Sequence, residues 1–124
     1  MAQPLISVSD IATAVAVSKR IPEFIHPPEA AEYEKRLNGV PHLILVAFDG
    51  DQPVGFKVGY QRERGFYSWM GGVLPTYRRR NIALRLAEEQ EKWAREQGYK
   101  SVTFKTRNQH KNMLIFALKR GFNV

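Results

Sequence analysis

The fold of this chain is decided by residues 71–83, which read Gly71-Gly72-Val73-Leu74-Pro75-Thr76-Tyr77-Arg78-Arg79-Arg80-Asn81-Ile82-Ala83. A strand ends at Pro75, because proline cannot donate to a ladder, and a helical pattern starts soon after three arginines. The first amides of a helix lack helical partners and carry partial positive charge. Together with the arginines they predict a cradle for a pyrophosphate. A solvated basic surface is the other interpretation of the same run.

Downstream of this segment, the apolar period predicts a helix from about Arg80 to Gln97, closed by Gly98 as a left-handed cap. Its apolar stripe consists of Ile82, Ala83, Leu86, Ala87, Trp93 and Ala94. Alternation then predicts a strand over residues 101–106, and residues 112–120 are interpreted as a last short helix that Gly121 closes.

Upstream, turn and cap residues separate two helices from three strands. The predicted elements are a strand over 4–8, a helix from Ile11 to Arg20 capped by Ser9-Asp10, a helix from Pro28 to about Leu37, and strands over 42–48, 54–60 and 66–74. The order is β-α-α-β-β-β-α-β-α, which is an α/β arrangement.

The composition narrows the class of protein. With 124 residues, 44% hydrophobic and 25% charged, the chain is expected to form a single domain over 1–124. No apolar run approaches the length of about 20 residues that crosses a bilayer, so no membrane partner is expected. The absence of cysteine excludes thiolate chemistry and fits a cytoplasmic protein. Nineteen Lys+Arg against twelve Asp+Glu leave a net charge of +7, which favours a polyanionic partner.

The segment resembles the cofactor-binding motif of the GCN5-related N-acetyltransferases (GNAT), which is Val-x-Pro-x-Tyr-Arg followed by Gln/Arg-x-x-Gly-x-Gly/Ala. Val73-x-Pro75-x-Tyr77-Arg78 matches the first part, and Arg78-x-x-Asn81-x-Ala83 matches the second except at Asn81. The stretches 106–108, 112–114 and 118–122 are similar to the last helix of the family. The resemblance implies a mixed central sheet flanked by helices, with acetyl-CoA as co-substrate. The cofactor-binding residues that it implies are Gly72, Val73, Leu74, Arg78, Arg79, Arg80, Asn81, Ile82, Ala83, Asn108 and Asn112.

The sequence departs from the family at the loop and at both usual proton carriers. Asn81 replaces a glycine, and asparagine is the residue after glycine that best tolerates left-handed backbone. Tyr67 stands where some members carry a glutamate base, and Ala117 stands in place of a tyrosine acid. The catalytic residue is therefore unassigned. The weak candidates are Tyr67 and His110, followed by His42, His26 and Glu29.

The family continues through two more strands after the point that corresponds to Val124, so the domain is expected to be C-terminally short. A sheet that ends at residues 101–106 would expose an unpaired edge, which proteins avoid. A homodimer in which the strand at 101–106 or the last helix forms the contact is the predicted solution.

The resemblance implies an acetyl-CoA-dependent N-acyltransferase that acts on a primary amine of a small molecule, peptide or protein. No metal is implied. A non-catalytic acyl-CoA-binding or sensor module is the alternative, because the usual proton carriers are missing. A nucleic-acid-binding protein is the remote alternative and is unlikely, since Arg62, Arg64 and the arginines at 78–80 are expected to cluster around one loop.

Overall fold

The computed structural model describes residues 3–105 and 113–117, with side chains described for residues 3–104. Six strands form one sheet in the order β1 to β6, in which β4 and β5 are parallel and every other neighbouring pair is antiparallel. The elements are β1 (Leu5–Val8), α1 (Ile11–Lys19), α2 (Ala30–Leu37), β2 (His42–Asp49), β3 (Gln52–Arg62), β4 (Gly65–Val73), a 3-10 turn (Pro75–Tyr77), α3 (Ile82–Glu96), β5 (Ser101–Lys105) and β6 (Met113–Ala117).

Helices cover both faces of the sheet. On one face Phe24, in the segment after α1, packs edge-on against Phe56 of β3, and Tyr33 of α2 packs against Trp69 of β4. On the other face α3 lies so close to β3 that a β-carbon at Gly59 would approach the Gln90 amide to 2.8 Å. The mixed α/β sheet predicted from the sequence is confirmed, and its core lies along β2, β3 and β4.

The predicted last helix is wrong over residues 113–117, which form β6. These five residues are Met-Leu-Ile-Phe-Ala, and a continuous apolar run this short fits a strand as well as a helix by periodicity. Pairing settles the choice, because β6 satisfies the outer edge of β5 from Ser101 opposite Ala117 to Lys105 opposite Met113. Residues 112 and 118–121 lie outside the described residues.

This pairing also overturns the expected exposed edge at β5. With β4 on one side and β6 on the other, β5 is an interior strand. The expected homodimer depends on an unpaired edge of β5. Because β6 pairs with that edge, the homodimer stays a prediction without this support.

The helix α3 buries a stripe at intervals of four residues, formed by Ile82, Leu86, Gln90 and Ala94. Ala83, expected in the stripe, is exposed. The helix ends as predicted at Gly98, whose φ is +93°. There the amides of Gly98 and Tyr99 donate to the carbonyls of Arg95 and Ala94, the arrangement of a Schellman cap.

The expected single cluster of arginines is also wrong. Arg62 and Arg64 lie at the β3–β4 turn, at the start of β4, whereas residues 78–80 follow its end. Nine residues of strand separate the two groups, which at about 3.3 Å per residue is almost 30 Å.

Among the described residues, no helix is long and apolar enough to span a membrane.

Candidate functional site

The site is built around the point where β4 and β5 separate. Within the described part of the chain the two strands pair only at Phe66–Val102 and Tyr67–Thr103. From Ser68 onward, the edge of β4 that faces β5 therefore has no partner strand among those residues. The register of β3 against β4 shifts at the same level, where Val58 faces Met70 but Gly59 faces Ser68. Such a bulge bends a strand locally. The result is a cleft whose wall offers backbone donors and acceptors to an extended ligand.

The loop after β4 reaches the α3 N-terminus through two left-handed residues. Arg79 has φ +66° and Asn81 has φ +62° and ψ 17°. Left-handed residues that alternate with residues of negative φ turn successive backbone N–H groups toward one side, which forms a concave anion-binding site. The first helical bond runs from the Arg85 amide to the Asn81 carbonyl at 3.0 Å, which leaves the amides of residues 82–84 without helical partners.

Neither of the usual intrinsic partners of these amides is present. The Asn81 side chain makes no capping hydrogen bond, and the first turn of α3 contains no acidic residue. Most helices satisfy their first amides with a capping oxygen or place a carboxylate there. The start of α3 is therefore available to an external anion.

The three arginines of the loop have different roles. Arg78 donates from both terminal nitrogens to the Glu23 carboxylate, at 3.0 and 2.9 Å, and from Nε to the Val73 carbonyl at 3.0 Å. The hydrogen bond with Glu23 raises the pKa of Arg78. Arg80 lies over the ring of Tyr77, 4.9 Å from its centroid. Among the described residues, only Arg79 of the three has no such partner.

Tyr77 fixes the same loop from the other side. Its hydroxyl donates to the Asp49 carboxylate at 2.5 Å, and this hydrogen bond raises the pKa of Tyr77. Because Asp49 ends β2, the contact ties the loop to the β2–β3 hairpin.

A cavity of about 550 Å³ opens at this loop. The predicted residues that line it are Gly72, Val73, Arg78, Arg79, Asn81, Ile82 and Ala83, and Ile21, Glu23 and Phe24 close it from the segment after α1. Two predicted residues are not in the lining. These are Leu74, which is buried, and Arg80, whose guanidinium lies over Tyr77. Asn108, Asn112 and His110 lie outside the described residues.

A second cavity, of about 370 Å³, occupies the cleft between β4, β5 and α3. Gly71 lines both cavities and joins them along β4. The other residues that line the second cavity are Lys57, Ser68, Trp69, Met70, Ala87, Gln90, Glu91, Val102 and Phe104. Sequence reasoning missed Lys57 and Gln90. The only signal for Lys57 is its place between two glycines in Gly55-Phe56-Lys57-Val58-Gly59, a strand face with no other side chain.

The catalytic candidates receive little support from their surroundings. Tyr67 lies at the last pair before the strands separate, but it is buried, with its ring 5.5 Å from that of Tyr60 and under the Arg62 guanidinium. His42 lies at the exposed start of β2. Glu29 pairs with Lys19 at 2.8 Å, and His26 is an exposed residue of the loop before α2. Among residues 3–104, no three His, Asp or Glu side chains form a group that could hold a metal ion.

Solved structures of acetyltransferases share this architecture. The ribosomal-protein-S18-alanine N-acetyltransferase from Escherichia coli superposes with a TM-score of 0.73 at 14% identity, covering 86% of this chain and 69% of its own. A GNAT family acetyltransferase from Brucella melitensis, solved with acetyl-CoA, gives 0.72 at 16% identity, covering 92% and 87%. The PaiA N-acetyltransferase from Thermoplasma acidophilum, solved with coenzyme A, gives 0.68 at 16% identity, covering 87% and 82%. At such identities the likeness is one of fold.

The sequence match is broader than the motif. Residues 11–122 match the sequence model of the Acetyltransferase (GNAT) family. The chain therefore belongs to the GNAT acetyltransferase family. No curated protein sequence matches it.

Proposed function

We propose that this protein is an acetyl-CoA-dependent N-acetyltransferase that acts on a primary amine. The observation that carries the proposal is the continuous path from an uncapped helix start, with left-handed residues at 79 and 81, to the open edge of β4. An anion site followed by an unpaired strand edge suits a molecule with a diphosphate at one end and an amide-bearing arm. Coenzyme A thioesters have that chemistry.

In this proposal the amides of residues 82–84 hold the diphosphate, and Arg79 adds a full positive charge beside them. The pantetheine arm lies along Gly71 and Gly72, with the thioester near the place where β4 and β5 part. A backbone amide of β4 stabilises the oxyanion that forms when the amine attacks the thioester carbonyl.

The reaction balances without a covalent enzyme intermediate. The amine nitrogen forms a bond to the carbonyl carbon, the carbon–sulfur bond breaks, and the sulfur leaves as a thiolate that takes up a proton. The amine loses one proton to solvent or a side chain. Positioning of the two reactants contributes much of the rate acceleration in such direct transfers.

The acceptor is proposed only as a class. The Escherichia coli enzyme is named for an alanine of a ribosomal protein. Peptide and protein amines therefore belong in the test panel beside small-molecule amines.

The test has two stages. Calorimetric titration with acetyl-CoA measures binding, and a free-thiol assay with a panel of amines measures turnover. We expect saturable binding and thiol release that depends on the amine. Failure to bind acetyl-CoA would refute the proposal.

A non-catalytic acyl-CoA-binding module is the second candidate. It is favoured by the absence of any carboxylate or histidine on β4 and by the packing of Tyr67 between Tyr60 and Arg62. Tight binding with no thiol release above the hydrolytic background, for every amine in the panel, would select this candidate.

A further inference from the structure

One lysine side chain extends into the cleft between β4, β5 and α3. Lys57 lies on the α3-facing side of β3, where the residues two positions before and after it are glycines. On β4 it lies opposite Gly71. The β-carbon that Gly71 lacks would lie 3.4 Å from both Cγ and Nζ of Lys57, so the lysine chain runs over the glycine. The bare backbone at Gly71 thus lets the ammonium line the second cavity.

The Lys57 ammonium has no acceptor among the residues that the structure describes, and burial lowers its pKa. Isolated charges are costly to bury unless they are paired. Because Lys57 is partly buried, leaving its charge without an acceptor costs stability, and a ligand that supplies an acceptor removes that cost.

A second donor in the cavity lacks a partner as well. The Gln90 side chain is only 3% exposed, and its amide nitrogen has no hydrogen bond within the described part of the chain. Ser68, 8% exposed, adds a hydroxyl to the lining. Beside the Glu91 carboxylate, the cavity therefore presents donors from Lys57, Gln90 and Ser68, which complement a ligand with carbonyl oxygens.

We propose that the Lys57 ammonium donates a hydrogen bond to an amide carbonyl oxygen of the pantetheine arm at the level of Gly71. This inference rests on the proposed function. Gly71 lies two residues before Val73, about 7 Å along the strand, and it lines both the loop cavity and the cleft. An arm that starts at the diphosphate and follows β4 must pass the lysine before it reaches the thioester. Lys57 acts here as a positioning residue that binds the arm.

The test compares three ligands by calorimetry: CoA, acetyl-CoA, and 3′-phospho-ADP, which keeps the nucleotide and diphosphate but lacks the arm. The variant is Lys57→Met, which keeps an unbranched chain up to the position of Cε and removes the ammonium. Lys92→Met is the matched control, because Lys92 is exposed on α3 and its loss changes the net charge equally.

We expect Lys57→Met to weaken the binding of CoA and of acetyl-CoA equally, by about tenfold or more, which is the range of a hydrogen bond to a charged group. Binding of 3′-phospho-ADP should change less than about twofold, as should all three ligands with Lys92→Met. The melting temperature of unliganded Lys57→Met should equal or exceed that of the wild type, since a partly buried charge without an acceptor has been removed.

Each contrary result has a separate meaning. Equal weakening of all three ligands would reduce Lys57 to a long-range charge and overturn the proposal. Weakening of acetyl-CoA alone would move the contact to the thioester and also overturn it. A lower melting temperature for the unliganded variant would show that the lysine stabilises the fold instead. If the wild type binds none of the ligands, the proposed function itself fails, whereas unchanged binding by Lys57→Met in a protein that binds CoA refutes only this inference.

Discussion

Asn81 allows the backbone of the loop after β4 to be tested apart from its charges. Its φ of +62° and ψ of 17° lie in the left-handed region, and its side chain makes no capping hydrogen bond. The residue therefore contributes its tolerance of this conformation and little else. An alanine in left-handed backbone costs about 1–2 kcal/mol. We expect Asn81→Ala to lower the free energy of unfolding by about that amount, which is a fall of about 4–8 °C in melting temperature for a domain of this size.

Asn81→Gly is the matched control. Glycine adopts the same φ without strain, but it also raises the entropy of the unfolded chain, a penalty of about 0.5–1 kcal/mol. The two effects oppose each other, so the melting temperature should stay within about 3 °C of the wild type. Affinity for CoA should be equal or higher with glycine and lower with alanine, because the amides of residues 82–84 keep their positions only in the first variant.

Differential scanning calorimetry and CoA titration of both variants decide the question. An alanine variant with the same melting temperature as the wild type would contradict this expectation, since the left-handed backbone would then cost nothing. A glycine variant that keeps its melting temperature but loses CoA affinity would show instead that the asparagine side chain contacts the ligand.

Three further predictions concern other parts of the molecule. Arg79→Ala should weaken CoA binding about tenfold and reduce the salt dependence of that binding. Arg64→Ala makes the same charge change at the far end of β4 and should alter neither quantity; titrations at two salt concentrations measure both. Gly59→Ala should destabilise the protein by about 3 kcal/mol or more, because the added carbon would clash with the Phe66 ring and lie 2.8 Å from the Tyr67 carbonyl; urea unfolding measures the loss, and a loss below 1 kcal/mol would contradict this expectation. Burial raises the pKa of Tyr33 to about 12 from 10.0. The protonated Tyr33 hydroxyl therefore contributes fully to stability below pH 10, and this contribution is lost as the pH rises through 12. Tyr33→Phe should flatten that part of the curve of unfolding free energy against pH, and an unchanged curve would assign the loss of stability to other groups.

Most of the fold could be predicted because its signals are local. Asp10 caps α1 by accepting from the Thr13 amide at 2.9 Å, and Gly98 closes α3 in left-handed backbone, as the residue types indicate. The error at residues 113–117 arose where local signals are silent. A five-residue apolar run acquires its structure from a partner strand, here β5, which lies outside the run itself.

The site divides in the same way. The loop motif could be found because proline, tyrosine, arginine and a left-handed residue follow each other within a short segment. Lys57 and Gln90 could not be found, since each appears in sequence as an ordinary polar residue on a strand or helix. Gln90 is buried because it falls on the four-residue stripe of α3 over Gly59. Only the approach of α3 to two glycine-lined strands turns these residues into the lining of one cavity.

The arginine run suggests that guanidinium groups bind the phosphates, whereas under the proposed function the contacts in the loop leave most of the phosphate binding to backbone amides. Arg78 uses its fork to join the loop to Glu23 and Val73, and Tyr77 joins it to Asp49. These ties reach the loop from two sides and hold the amides at the start of α3 before any ligand arrives. Preorganised amides bind an anion without a further ordering cost, so we expect Arg78 to contribute more by holding the loop than it would as a second unpaired charge beside Arg79. The brace itself is exposed and contributes little to global stability. Its value lies in the geometry of the loop, which is the property that ligand binding requires.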